Sequence, residues 1–285
     1  MAINIKKDKG KNKYMNIFLY IIIFIMGTLF GSFFTLAVYR IPRKEDITHT
    51  HSYCPNCNHK LSLLDLFPVF SYILLGGKCR YCKNKIRPRY LILEITSGLI
   101  FVTIAYLMNI RIENLNLITV ANSAFLALYL CFIFILAGID KENRKIEKSV
   151  VMYGILISLA YIVYLCIVEK ASIYRYGIYI IFYIIFLILD TITLRKYAKN
   201  SYLNNIVLSI LVMVIFTREY ITINTIIITL LAMAIYLLIY KIRNLKNRSK
   251  KTEKQIAKNI TVGYIMGMAN IINFVLVLGF YKFLI

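Results

Sequence analysis

Cys54-Pro-Asn-Cys57 and Cys79-Arg-Tyr-Cys82 place four thiols in two Cys-x-x-Cys pairs, 21 residues apart, inside one polar segment of the chain. Two such pairs can close on a single tetrahedral Zn²⁺. Residues 40–89 hold too few apolar side chains for a core of their own, so a metal would supply the missing folding energy. The other uses of such cysteines are two disulfides or free thiols. Disulfides are rare in a reducing cytoplasm, which is where the charge pattern below places this segment. Cys131 and Cys166 fall inside apolar runs and read as packing residues. His49, His51 and His59 lie near the cysteines and read as solvent-facing.

A second chemistry is carried by carboxylates. The chain has only 13 acidic residues, and three of them fall within apolar runs. Asp140 closes Ala137-Gly138-Ile139-Asp140, Asp190 closes Leu187-Ile188-Leu189-Asp190, and Glu94 lies just inside the second run. An ionisable group at membrane depth is costly and marks function by default. The plain alternatives are helix-end carboxylates, Asp140 paired with Lys141 or Arg144 and Asp190 with Arg195. Two aspartates at one depth can share a proton, because close carboxylates do not both ionise cheaply. The ionised one then activates water while the protonated one serves as acid, which is aspartic proteolysis. The sequence shows no Gly-rich phosphate loop, no His-Glu-x-x-His and no serine in a glycine elbow.

These residues must be positioned by membrane helices. The chain of 285 residues is 60% hydrophobic with a mean hydropathy of +0.69, and its apolar runs match the thickness of a bilayer. Eight spans are expected, over residues 14–39, 91–109, 115–138, 149–168, 174–193, 203–216, 221–240 and 260–285. They are apolar on all sides, so they are helices and not barrel strands. The first run is too long for a signal-peptide core. Of 35 Lys and Arg residues, 25 fall in the loops 40–89, 141–148, 195–199 and 241–258. The positive-inside rule puts those loops in the cytoplasm and both termini outside. The net charge of +22 is thus accounted for by topology and anionic lipid, not by nucleic acid. The expected fold class is an all-α polytopic membrane protein of about eight transmembrane helices with a small cytoplasmic zinc-binding loop domain. It divides into 1–39, 40–90 and 91–285.

At these residues the chain resembles the type IV prepilin peptidases, bifunctional leader peptidases and N-methyltransferases of the Gly-x-Gly-Asp class of aspartyl proteases. Gly31-Ser32-Phe33-Phe34-Thr35-Leu36-Ala37-Val38-Tyr39-Arg40-Ile41-Pro42 is similar to the family's signature at the end of the first span. The cysteine pairs, Ser71-Tyr72, Gly77-Lys78, Ile86-Arg87-Pro88-Arg89-Tyr90 and Glu94 follow in the family's order. Ile139-Asp140 matches its first catalytic aspartate, and residues 260–264 resemble its last-helix motif. The chain departs from the pattern at Thr35, at Ile146-Glu147-Lys148 where the family has Ile-Pro-Asp, and at the second aspartate. The family's spacing points to Asn204, whereas Asp190 is the only aspartate after Asp140. The resemblance implies a bacterial inner-membrane enzyme that cuts the basic leader from prepilin-like precursors. It also implies methylation of the new N-terminus from S-adenosylmethionine. In this reading Asp140 and Asp190 form the dyad and Cys54, Cys57, Cys79 and Cys82 hold Zn²⁺ in a substrate-facing cap. Arg89 and Glu94 are substrate or methyl-transfer contacts. The rival is a relative that binds pilins or assembly factors without cutting them.

Overall fold

A computed structural model describes the backbone of residues 2–197, 202–247 and 261–284, and the side chains of 12–192, 202–239 and 261–284. Eight α-helices follow in order among the described residues: α1 (Ala2–Arg40), α2 (Phe70–Leu74), α3 (Arg89–Leu107), α4 (Leu117–Asn143), α5 (Lys148–Val168), α6 (Ile173–Tyr197), α7 (Tyr202–Asn247) and α8 (Val262–Leu284). All but α2 are long and apolar enough to cross a membrane. The described part of the basic loops at 195–199 and 241–258 is helical backbone, and their side chains lie outside the described residues.

The helix α7 carries two of the expected spans. Arg218 sits at φ 65, ψ 165 in its middle, a conformation that a side chain with a Cβ tolerates poorly. The apolar stretch Tyr202–Ile239 is 38 residues long, about 57 Å at the helical rise and nearly twice the hydrocarbon thickness of about 30 Å. The break at Arg218 therefore separates two span-sized rods at the boundary expected from the sequence.

The chain forms two compact units, one of Met1–Ala124 with Leu278–Ile285, the other of Phe125–Val277. In the first, α1 packs against α3 through small residues. A Cβ built on Gly27 would lie 2.8 Å from the Gly98 Cα, and one on Gly31 would lie 2.9 Å from the Glu94 Cα. Gly27 and Gly31 are four apart, on one face of α1, and let two backbones meet as lipid alone would not drive them to do. Gly27→Ala is expected to destabilise the unit by about 1–3 kcal/mol, because backbone and not a flexible side chain must yield. A thermal-unfolding measurement in detergent checks it, and an unchanged midpoint would contradict the close approach.

In the second unit, Gly154 of α5 leaves room for the Phe132 ring, which an added Cβ would meet at 2.5 Å. A buried polar network lies among α4, α7 and α8. The Tyr129 hydroxyl donates to Asn270 Oδ1 at 2.6 Å, and Asn270 Nδ2 donates to Thr225 Oγ1 at 3.3 Å. Asn273 donates to the Ile221 carbonyl at 2.9 Å. Such groups are tolerated in an apolar interior because each has a partner.

Candidate functional site

The two cysteine pairs fold as repeated knuckles. In each, an amide returns to the carbonyl of the first cysteine: Asn58 N to Cys54 O at 2.8 Å, and Lys83 N to Cys79 O at 3.0 Å. In each, the residue after the second cysteine is left-handed, Asn58 at φ 54 and Lys83 at φ 58. Antiparallel bridges Tyr53–Lys60 and Lys78–Lys85 close the two turns. The four Sγ atoms of Cys54, Cys57, Cys79 and Cys82 all lie within 4.8 Å of one another. All four are free thiols, with Cys54 and Cys82 Sγ 3.9 Å apart. Tetrahedral bonds of about 2.3 Å to one ion would set neighbouring sulfurs about 3.8 Å apart. The donors fit a metal ion, and this is the one such group among the described residues. The Asn84 amide and the Asn56 side chain, which lies 3.7 Å from Cys82 Sγ, hold the Cys82 thiol down at about 6 against burial. His49 is open to solvent beside Asp46, and the His59 ring lies on Tyr81 with centroids 3.6 Å apart.

Asp65 ties the segment between the pairs to the second knuckle. Its carboxylate accepts from Arg80 Nε at 2.6 Å, Tyr81 Oη at 3.1 Å and Ser62 Oγ at 2.7 Å. Burial opposes its charge, but Ser62, Arg80 and Tyr81 outweigh it and hold the carboxyl down at about 2, below its ordinary 3.8. The stability it contributes is present above about pH 4 and lost as pH falls through 2. Partners behind metal ligands commonly carry about 10–100-fold of affinity. Asp65→Asn is expected to weaken metal binding by that order, checked by competition with a chromogenic chelator. Equal affinity would show that the knuckle orients itself.

Glu94 and Arg89 open α3. Glu94 is buried, accepts the Val69 amide at 2.8 Å and takes the Ser32 hydroxyl. The Arg89 guanidinium lies over the Tyr90 ring, 5.2 Å from its centroid. Arg40, at the end of α1, is also buried. It gathers the following loop by donating to the carbonyls of Asp46, Thr50 and His51 at 2.9–3.1 Å.

In the second unit, Asp140 is fully buried in the last turns of α4. Its Oδ2 accepts the Tyr264 amide at 3.1 Å, and the Gly263 amide also faces the carboxylate. Asp140 thus caps the start of α8, where free amides and the helix dipole favour an anion. Oδ1 accepts the Tyr202 hydroxyl at 3.0 Å, and Tyr202 Oη in turn accepts the Val262 amide at 3.2 Å. A Cβ on Gly263 would lie 3.2 Å from Asp140 Oδ2, so glycine permits the approach. Of the charged neighbours expected for Asp140, Lys141 reaches the Tyr264 hydroxyl at 3.2 Å, and the Arg144 amide donates to the Asp140 backbone carbonyl at 2.8 Å. Asp190, equally buried, takes Lys148 Nζ at 2.7 Å. Its expected partner Arg195 has a side chain outside the described residues. The described hydrogen bonds of the two aspartates run to different partners. That Tyr202, Lys148 and the α8 amides partner the aspartates is not apparent from the sequence. Lys148 at the start of α5 was the one with a signal, being a cation at the same helix-end depth.

The helices and the tetracysteine segment define a multi-pass membrane protein with an insertion between its first two spans that could hold a metal ion. Residues 25–108 match the Bacterial Peptidase A24 N-terminal domain. It is 36% identical over 110 residues to the prepilin leader peptidase/N-methyltransferase of Vibrio cholerae, a match covering 35% of this chain and 44% of the relative. It is 27% identical over 136 residues to the protein of that name from Klebsiella pneumoniae, covering 46% and 56%. A third, from Bacillus subtilis, is 33% identical over 92 residues, covering 32% and 37%. The chain spans about half, or less, of the length of these curated relatives. No solved structure matches it. Asp140 and Asp190 lie beyond the matched domain.

Proposed function

We propose that the chain is a membrane aspartic endopeptidase that cleaves the basic leader of type IV prepilin-like precursors on the cytoplasmic face. The observation that carries this reading is the setting of Asp140: a fully buried carboxylate supplied with donors from Tyr202 and the start of α8. That setting holds a base rigidly, as general base catalysis on a water requires. Asp190 is the second carboxylate of this mechanism. Asp140 takes a proton from water as the water attacks the scissile carbonyl, and Asp190 gives one to the departing amine. For Asp190 to carry that proton, Lys148 must release it.

The tetracysteine site holds zinc in this reading, as the chemistry of four thiolates favours. Its role is to order residues 40–89. Methyl transfer is supported by the relatives' names. Glu94, expected with Arg89 as a substrate or methyl-transfer contact, is buried and accepts from the Val69 amide and the Ser32 hydroxyl. The test is the processed fraction of a co-expressed pilin precursor in membranes, with Asp140→Asn as control. A wild-type chain that leaves every precursor intact would replace this reading by that of a non-cleaving pilin-binding relative.

A further inference from the structure

Between the cysteine pairs the chain exposes a ridge of large apolar side chains, which the metal site does not use. Leu63, Leu64, Phe67, Phe70, Ile73 and Leu74 are 48–87% exposed, and the Phe67 and Phe70 rings pack 5.5 Å apart. An apolar ridge of this size on a loop marks a contact surface. Its depth says what covers it. The Val69 amide is bound to Glu94, five residues into α3 from Arg89 and so about 7 Å along a helix that crosses the bilayer. Ser32 of α1, eight residues back from Arg40, reaches the same carboxylate. The ridge is therefore tied at Val69 to turns of two spans that lie inside their ends at Arg40 and Arg89.

The backbone is built for that level. Peptide groups at membrane depth must be satisfied within the protein. Val69 stands at φ 64, ψ −54 in a γ-turn, with Phe70 N bound to Pro68 O at 2.6 Å. This turn is strained for a β-branched residue. Pro68 has no amide to satisfy, and Glu94 takes that of Val69. The amides of Asp65, Leu66, Ser71, Ile73, Leu75, Gly76, Gly77 and Lys78 all return to carbonyls of the same segment. Lys60, Lys78, Lys83 and Lys85 are exposed around it, which matches an anionic headgroup layer.

We propose that residues 63–74 form an interfacial anchor whose apolar ridge dips into the headgroup and upper acyl region of an anionic bilayer, fixing the tetracysteine domain against the membrane. The proposal is independent of any protease activity. The chain contains no tryptophan, so a single introduced one reports alone. Leu63→Trp and Leu74→Trp replace side chains that are 87% and 82% exposed and touch little. Each full-length variant is reconstituted in vesicles of phosphatidylcholine and phosphatidylglycerol. His49→Trp is the solvent control and Ile21→Trp, on the exposed face of α1, the bilayer control. Metal content verifies the fold of each. The expected result is blue-shifted emission at 63 and 74, lost to lipids brominated near the headgroup end of the acyl chain and insensitive to acrylamide. Quenching of both by acrylamide with none by brominated lipid would overturn the anchor. Protection from acrylamide that arises only on adding a precursor peptide would overturn it too, and would make the ridge a protein-docking surface.

Discussion

Asp140→Asn is expected to abolish cleavage of a pilin-like precursor, with a loss of about 10²–10⁴-fold or more, the usual worth of a positioned acid–base group. Asparagine keeps an oxygen for the α8 amides and turns an NH2 donor toward the Tyr202 hydroxyl oxygen, which can accept it, so the fold should survive while the proton acceptor is gone. Asp190→Asn should fall as far if both carboxylates act in one step. The double variant should then be no worse than either single one, because parts of one device are not additive. The structure gives each outcome a physical meaning. If Asp140→Asn is inactive and Asp190→Asn retains full activity, Asp190 is the structural partner of Lys148, and the acid must be sought elsewhere, with Tyr202 the nearest hydroxyl to Asp140.

The other large effect is metal loss. Purified chain is expected to carry one Zn²⁺, and Cys54→Ser to lose it together with the fold of residues 40–89. Binding of structural zinc to four such ligands is worth about 10–16 kcal/mol in zinc-finger peptides, far beyond what the few buried side chains of this segment supply. Metal analysis and limited proteolysis read the result. An intact, protease-resistant segment without zinc would show that contacts such as those of Asp65, Arg40 and Glu94 organise it without metal, and would sink the metal reading.

The cysteine pairs were legible because their information is local: a knuckle is written in six or seven consecutive residues, and its spacing is the signal. The spans were legible for the same reason, since a bilayer imposes length and apolarity on each separately. What joins helices was not. Tyr202 meets Asp140 across 62 residues, and the Tyr264 amide across 124. No periodicity encodes such a meeting, and a backbone amide has no sequence signature. Charge proximity named Lys141 or Arg144 for Asp140, and for Asp190 it named Arg195, whose side chain lies outside the described residues. The first reaches for a tyrosine instead, and the ion pair to Asp190 comes from the start of another helix. Gly27 and Gly31 did carry a readable signal, four residues apart in an apolar run, which only the packing of α1 on α3 explains.

The capping of α8 by Asp140 also has a consequence in time. The aspartate leaves the ribosome with α4, but the amides that receive it belong to a helix made 124 residues later. At about 5–20 residues per second, that interval is roughly 6–25 s. During it the carboxylate lacks two of its donors, and Tyr202, also made later, supplies the third only partway through. If the chain is the proposed peptidase, a copy arrested in translation before α8 would lack the finished setting of Asp140, and cutting would wait on the arrival of its own last helix.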